Sequence, residues 1–313
     1  MDSLVGRILE ELRKIPLIDP HSHVDPRSPV ATSLNDLLAY HYYTELAHSA
    51  GLPKFEIEST HGFEQAERIV EYLTRCSNTV QYSWLVELIG DCFGFDAAEL
   101  TPKTLPDLFI AAERVLAAPD WRDTVFRAAR LDSIFLTNDF DDSLRGFDTR
   151  RFVPCLRTDE LVFKLTNAPV RRRLAESTGI EVVDWVSVGR ALDRCFERFV
   201  NHGARACAVS LPPDFAPVRP GPAETDAALV RLLRGTQSAD DQQVLAYAVF
   251  FALADRCEEF SLPFDLMLGV QRNVYEFGVY QGQDLFDQTT SLYQYRRLFN
   301  EKRAVTFPVS VLT

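Results

Sequence analysis

Two histidines one residue apart, His21 and His23, close the first apolar run of the chain, Leu17 to Pro26, which reads LIDPHSHVDP. If Pro16 to His23 is extended, the period of two puts both imidazoles on one face of the strand end, within reach of one ion. Neutral imidazole suits zinc and its first-row neighbours, and a catalytic site usually takes three protein ligands and keeps one position open. The alternative for such a pair is hydrogen-bonded core histidines; position at a strand end favours the metal, because in a β/α barrel the chemistry sits where strands end. A second cluster lies in SLNDLLAYHYYTELAHSAG, where His41 and Tyr42 are adjacent and His41, Glu45 and His48 fall on one helical face. That trio lacks the His-Glu-x-x-His spacing of zinc proteases. His48 therefore reads as a capping or solvated residue, and Tyr40, Tyr42 and Tyr43 as an aromatic packing face. The other strand ends collect Asp139, Arg157, Asp159 and Arg272. Two guanidiniums converging on one pocket suit a carboxylate or phosphate held by bidentate hydrogen bonds. The competing reading is that they neutralise Asp139, Asp142 or Asp159 in ordinary ion pairs.

The elements that must position these groups are legible as runs. A helix is predicted over Ser33 to Ala50, capped by Ser33 and stopped by Gly51. From Phe55 to Arg130 the pattern is helical, with amphipathic runs at Glu64 to Thr74, Tyr82 to Phe93 and Leu105 to Leu116, and a crossover helix at Trp121 to Arg130. This is far longer than a normal crossover, so residues 32–120 read as a helical insertion after strand one of a single domain spanning 1–313. Continuous apolar runs at Asp132 to Asp139, Arg151 to Arg157, Ala206 to Leu211, Pro263 to Val270 and Ala304 to Leu312 read as buried parallel strands. Between them, helices are expected at Val170 to Ser177, Trp185 to His202, Asp240 to Phe260 and Leu285 to Asn300. Strand and helix in alternation give a parallel α/β fold, barrel or doubly wound. The chain stops inside an apolar run, so either the fold is open or the chain is a fragment lacking about two strand–helix units of an eight-fold barrel.

Charge and composition exclude several classes. A net charge of −12 and a pI near 5.0 argue against a nucleic-acid partner, which needs a basic surface. No apolar run reaches the roughly 18 residues that a membrane span requires. The first fifteen residues form an amphipathic helix with mixed charges and no cleavage site, so a cytoplasmic location is expected. The six cysteines are scattered, without Cys-x-x-Cys, which suits free thiols in a reducing compartment and offers no good nucleophile. No glycine-rich nucleotide loop follows any strand. No histidine follows His202, so a further metal ligand in the later strands would have to be Asp or Glu.

Taken in order, LIDPHSHVDP, DLLAYHYYTELAHSAGLP, IFLTNDFDD, FVPCLRTDE, LMLGVQRNVY and GQD resemble the uronate (glucuronate) isomerases of the amidohydrolase superfamily, from about residue 8 to the end of the chain. The resemblance implies a TIM-type (β/α) barrel of the metal-dependent hydrolase kind, here incomplete at about six of eight strands. It implies a metal-dependent aldose–ketose isomerase that converts a hexuronate (D-glucuronate or D-galacturonate) to its keto form (D-fructuronate or D-tagaturonate). By that comparison His21 and His23 are metal ligands for one divalent ion, zinc first among the choices, and His41 and Tyr42 are the catalytic pair. Arg157 and Arg272 bind the substrate. Arg157 stands in Arg-Thr-Asp where Arg-Pro-Asp is usual. Met267 stands where many superfamily members have a fifth-strand histidine, which disfavours a binuclear, hydrolytic centre. The family's remaining ligand, an aspartate ending the eighth strand, has no counterpart here. The partner implied is a small sugar acid, with no nucleic acid and no membrane, and a homo-oligomer at full length. Two other readings remain open: a mononuclear amidohydrolase acting on an ester, amide or lactone, and an inactive truncated fragment.

Overall fold

The structure, a computed structural model, describes residues 4–95, 100–272, 274 and 285–311. The GQD motif, Asn273 and the last expected strand residue, Leu312, lie outside them. The chain divides into two compact units: Met1–Arg27 with Leu131–Arg272 and Asp284–Thr313, and Ser28–Arg130 with Asn273–Gln283.

The apolar runs of the first unit become strands: β1 (Leu17–Asp19), β2 (Leu131–Phe135), β3 (Asn138–Asp139), β4 (Phe152–Val153), β5 (Cys155–Arg157), β6 (Ala206–Leu211), β7 (Phe264–Leu268), β8 (Val270–Gln271), β9 (Leu285–Phe286) and β10 (Val309–Val311). One run is interrupted between β2 and β3, and another at Pro154, which has no N–H to give to a ladder. Among the described residues the strands pair in two parallel sheets, β1-β2-β4 and β10-β7-β6-β5-β3, and one antiparallel ribbon, β8–β9. With each interrupted run counted once, neighbours follow chain order, with none of the reversal that marks a doubly wound sheet.

Period-two alternation gives this sheet two lined faces. Phe264, Leu266 and Leu268 of β7 pack with Phe196, Phe199, Phe250 and Leu253 of the helices Trp185–Asn201 and Ala239–Glu259. Met267 joins Cys155, Ala206, Ala208 and Phe135 on the other face. The fifth-strand position that the resemblance compares with a histidine is thus an apolar packing residue, 4% exposed.

The second unit is helical. Leu34, Leu38, Ile69, Leu73, Leu85, Leu105 and Leu108 form its core, drawn from the faces that periodicity marks on helices including Gly62–Leu73, Val80–Phe93 and Leu105–Leu116. The expected helix from Ser33 to Ala50 is two helices, Leu34–Leu38 and His41–Ser49, because Tyr40 is extended at ψ 140°. Ser33 does cap the first, accepting from Asp36 N, and Gly51 ends the segment at φ +109°. Leu285 to Asn300 also departs from expectation. It holds β9, a 3₁₀ turn at Leu292–Tyr295 capped by Ser291, and only then a helix, Arg296–Glu301. An unforeseen helix, Pro222–Leu233, carries its own signal, a proline at its first position.

Candidate active site

The histidine end is built on the edge strand β1. The strand stops at Asp19, earlier than expected, because Pro20 cannot donate to a ladder and the Asp19 carboxylate accepts from His21 N at 3.1 Å, turning the chain out of the strand. His21 and His23 therefore stand on the following loop, yet their rings remain neighbours, 5.1 Å between centroids and at 82°. Ser22 N donates to Phe135 O at 2.9 Å, which fastens the loop to β2. Thr137 Oγ donates to Ser22 O at 3.2 Å and lies 3.0 Å from His23 Nδ1. A threonine has one O–H, so if it is given to Ser22 O, Thr137 accepts from Nδ1–H, the tautomer in which Nε2 of His23 keeps the lone pair.

Asp265, on the same face of β7 as Met267, interacts electrostatically with His21. Burial pushes its carboxyl above the usual range, against the opposing effects of His21 and a hydrogen bond from Ser310. Its Oδ1 is buried and lacks a hydrogen-bond partner among the described residues. Two imidazoles with an orphaned carboxylate oxygen nearby are the donor chemistry of a divalent cation. Among the described residues no three His, Cys, Asp or Glu side chains close into a metal-holding group. The chain thus fits two ligands of such a site. Asp265 was not foreseen, although one acid inside the apolar run PFDLMLGV is a signal that could have found it.

The arginine end is a cavity of about 610 Å³ at the carboxyl ends of β3, β5, β6 and β8. Arg157 and Arg272 both line it, so the structure brings together the two guanidiniums that the sequence singled out. They share a carboxylate. Arg157 donates to Asp159 through Nε at 3.1 Å and Nη2 at 3.4 Å, and Arg272 Nη2 lies 3.9 Å from Asp159 Oδ1. Burial disfavours the charge on Arg157, but Asp159, with Asp139 and Glu160 beyond it, outweighs burial and keeps the guanidinium protonated. Ion pairing by strand-end arginines, the competing reading, thus describes these side chains with no ligand present. Asp142 pairs instead with Arg27, at 3.6 Å. A further arginine that the sequence reading missed, Arg173, grips Asp141 at 2.6 and 2.7 Å and Glu160 at 2.5 Å. The charged lining comprises Arg157, Lys164, Arg173 and Arg272 against Asp139, Asp159 and Glu160. Four cations face three carboxylates in a chain of net charge −12, a local reversal of sign.

His41 and Tyr42 belong to the helical unit. His41 opens the helix His41–Ser49, and its ring lies 4.3 Å from those of Tyr40 and Tyr42. Tyr42 is 53% exposed. His48 is engaged by Leu52 O at 2.8 Å, in line with a capping role. All six cysteines are unpaired, and burial pushes the Cys195 thiol up to about 12. No described helix is long and apolar enough to cross a membrane.

No protein-family model matches the sequence. The chain is 23% identical over 294 residues to a uronate isomerase of Corynebacterium efficiens and 24% identical over 298 residues to one of Corynebacterium glutamicum, 86% of this chain in each case. It spans 62% and 57% of the length of these relatives. Its fold matches the crystal structure of a uronate isomerase from Thermotoga maritima with a TM-score of 0.86 at 18% identity, covering 98% of this chain and 73% of that one.

Proposed function

We propose that this chain, a sequence relative of proteins named uronate isomerase, carries the active site of a metal-dependent aldose–ketose isomerase acting on a hexuronate such as D-glucuronate or D-galacturonate. The observation that carries the reading is the shared cavity of Arg157 and Arg272, positive within an acidic chain, at the carboxyl ends of parallel strands. A planar carboxylate is what two such guanidiniums recognise. In this reading the parallel run belongs to a TIM-type (β/α) barrel, with the helical unit inserted after β1, in a cytoplasmic enzyme that assembles with copies of itself.

Converting an aldose to a ketose requires opening of the ring, removal of a proton from carbon 2 and its return to carbon 1. His21 and His23 would hold the divalent ion, zinc by the chemistry of its donors; when bound it supplies Lewis acidity toward the carbonyl and the neighbouring hydroxyl. Arg157 and Arg272 hold the carboxylate and so fix the sugar in one orientation. His41 takes the anomeric hydroxyl proton and returns it to the ring oxygen, since an imidazole serves in both directions near neutral pH. Tyr42 takes the proton from carbon 2, exchanges it with solvent and delivers a proton to carbon 1. The test is incubation of the zinc-loaded protein with D-glucuronate in heavy water. The expected result is D-fructuronate carrying deuterium at carbon 1. Unchanged glucuronate, together with turnover of a lactone or ester, would replace this reading with a mononuclear hydrolase.

A further inference from the structure

We propose that Asp159 is the positioning residue of the anion site, a single carboxylate that sets the geometry of both substrate-binding arginines. The proposal rests on reading the cavity as an anion site. Asp159 is only 17% exposed, yet it faces three donors at once. Arg157 reaches it through Nε and Nη2, Arg272 approaches it at 3.9 Å, and Ser210 N at the end of β6 donates to its Oδ1 at 3.3 Å. The Ser210 bond matters because it ties the carboxylate to the backbone of a central strand. The acid is therefore a fixed post that holds the Arg157 fork by hydrogen bonds and draws the Arg272 charge toward it as an ion pair.

The geometry of the fork gives the consequence. A guanidinium presents five N–H donors in a plane, and Arg157 spends its Nε and one Nη on Asp159. Its remaining Nη1 lies in that same plane and is therefore held in a fixed direction, within a cavity the residue lines. Without Asp159 the same arginine keeps its charge but loses its orientation, and orientation is what distinguishes a planar carboxylate from any other anion. A purely charge-screening role for Asp159 predicts the opposite result, since removing a negative group between two cations would tighten anion binding. The two accounts therefore differ in sign.

The experiment is calorimetric titration of the 313-residue chain, D159N and D159E with D-glucuronate, with D-glucose as the uncharged control. Asparagine keeps an oxygen for Ser210 N–H, so D159N should fold; thermal unfolding checks this. Glucuronate should bind the wild-type chain where glucose does not, bind D159N about tenfold or more weakly, and recover in part in D159E. Nitrogen-15 spectra of the ligand-free protein add an independent readout, because the Arg157 Nε–H signal should be protected from exchange in wild type and lost in D159N. Unchanged or tighter glucuronate binding by D159N overturns the proposal and leaves the anion site standing. A wild-type chain that binds glucuronate no better than glucose overturns both.

Discussion

The two ends of the first unit that could do chemistry are built in opposite ways. The arginine cavity is walled by central strands and by side chains already committed to one another: Arg157 to Asp159, Asp159 to Ser210 N, Arg173 to Asp141 and Glu160. The histidine loop hangs from a three-residue edge strand whose Leu17 and Ile18 are 44% and 60% exposed, and it is fastened through Ser22 and Thr137. A site that must hold a carboxylate the same way at every turnover gains from rigidity before the ligand arrives. A site for a cation can be completed by the cation, which supplies ordering free energy itself when its ligands close around it. The cavity is thus preorganised by protein alone, and the histidine end is the half for which a bound ion would matter most.

The largest expected effect separates the halves. In the zinc-loaded protein, His21→Ala with His23→Ala should abolish stoichiometric metal by elemental analysis after dialysis and cut the proposed isomerase turnover by on the order of 10³. Glucuronate affinity should stay within about threefold, because no charged hydrogen bond of the cavity is removed. Metal retained at full stoichiometry would break the comparison at its weaker half. Next in size, Arg157→Ala and Arg272→Ala should each weaken glucuronate binding by roughly 10- to 100-fold, the range of one charged hydrogen bond, with metal content unchanged. Loss of metal in either variant would mean that the two ends are one device.

Legibility in sequence followed the same division. The central strands could be read directly, because a strand buried on both faces is a continuous apolar run, and ACAVSL and FDLML have that form. Leu105 to Leu116 was legible to the residue, with Pro106 marking its first turn. The break at Tyr40 was not, because no proline or glycine announces it; the ring cluster of Tyr40, His41 and Tyr42 stands there instead. Arg157 and Arg272 could be singled out as strand-end residues, and Asp159 as one of three acids they could pair with, but that one carboxylate serves both could not, since Asp159 meets Arg272 and Ser210 across long stretches of chain. Arg173 escaped notice for the same reason, because its partner Asp141 lies on a different segment.

Stability should show the contrast between centre and edge. Leu266 of β7 is fully buried, so Leu266→Ala should cost about 2–5 kcal/mol in urea unfolding, through lost transfer energy and a residual cavity. Leu17→Ala on β1 should stay within about 0.5 kcal/mol, as expected for an exposed side chain. Comparable losses at both positions would show that the edge is as well packed as the centre.

The smallest effect probes how the cavity wall is held, through Arg173. Its hydrogen bonds keep the Asp141 carboxyl below its ordinary value of 3.8, with partial burial opposing. A carboxyl whose folded value is depressed contributes stability that is fully present above the unfolded value. As pH falls below 3.8 the unfolded chain takes up the proton first, so that contribution shrinks and is lost once pH passes the folded value. Arg173→Gln removes this pair and the one with Glu160, whose carboxyl, with burial opposing, Arg173 and Lys164 also hold below its ordinary value of 4.5, and with them this part of the acid dependence. The gap in urea stability between wild type and variant should therefore be widest near neutral pH, at about 1 kcal/mol or less for partly solvated pairs, and should close as pH drops through the window that opens below 4.5 for Glu160 and runs on below 3.8 for Asp141. A gap that stays constant across that window would mean that the guanidinium supports the wall by packing over the Phe140 ring, 4.9 Å away, and not by its charge.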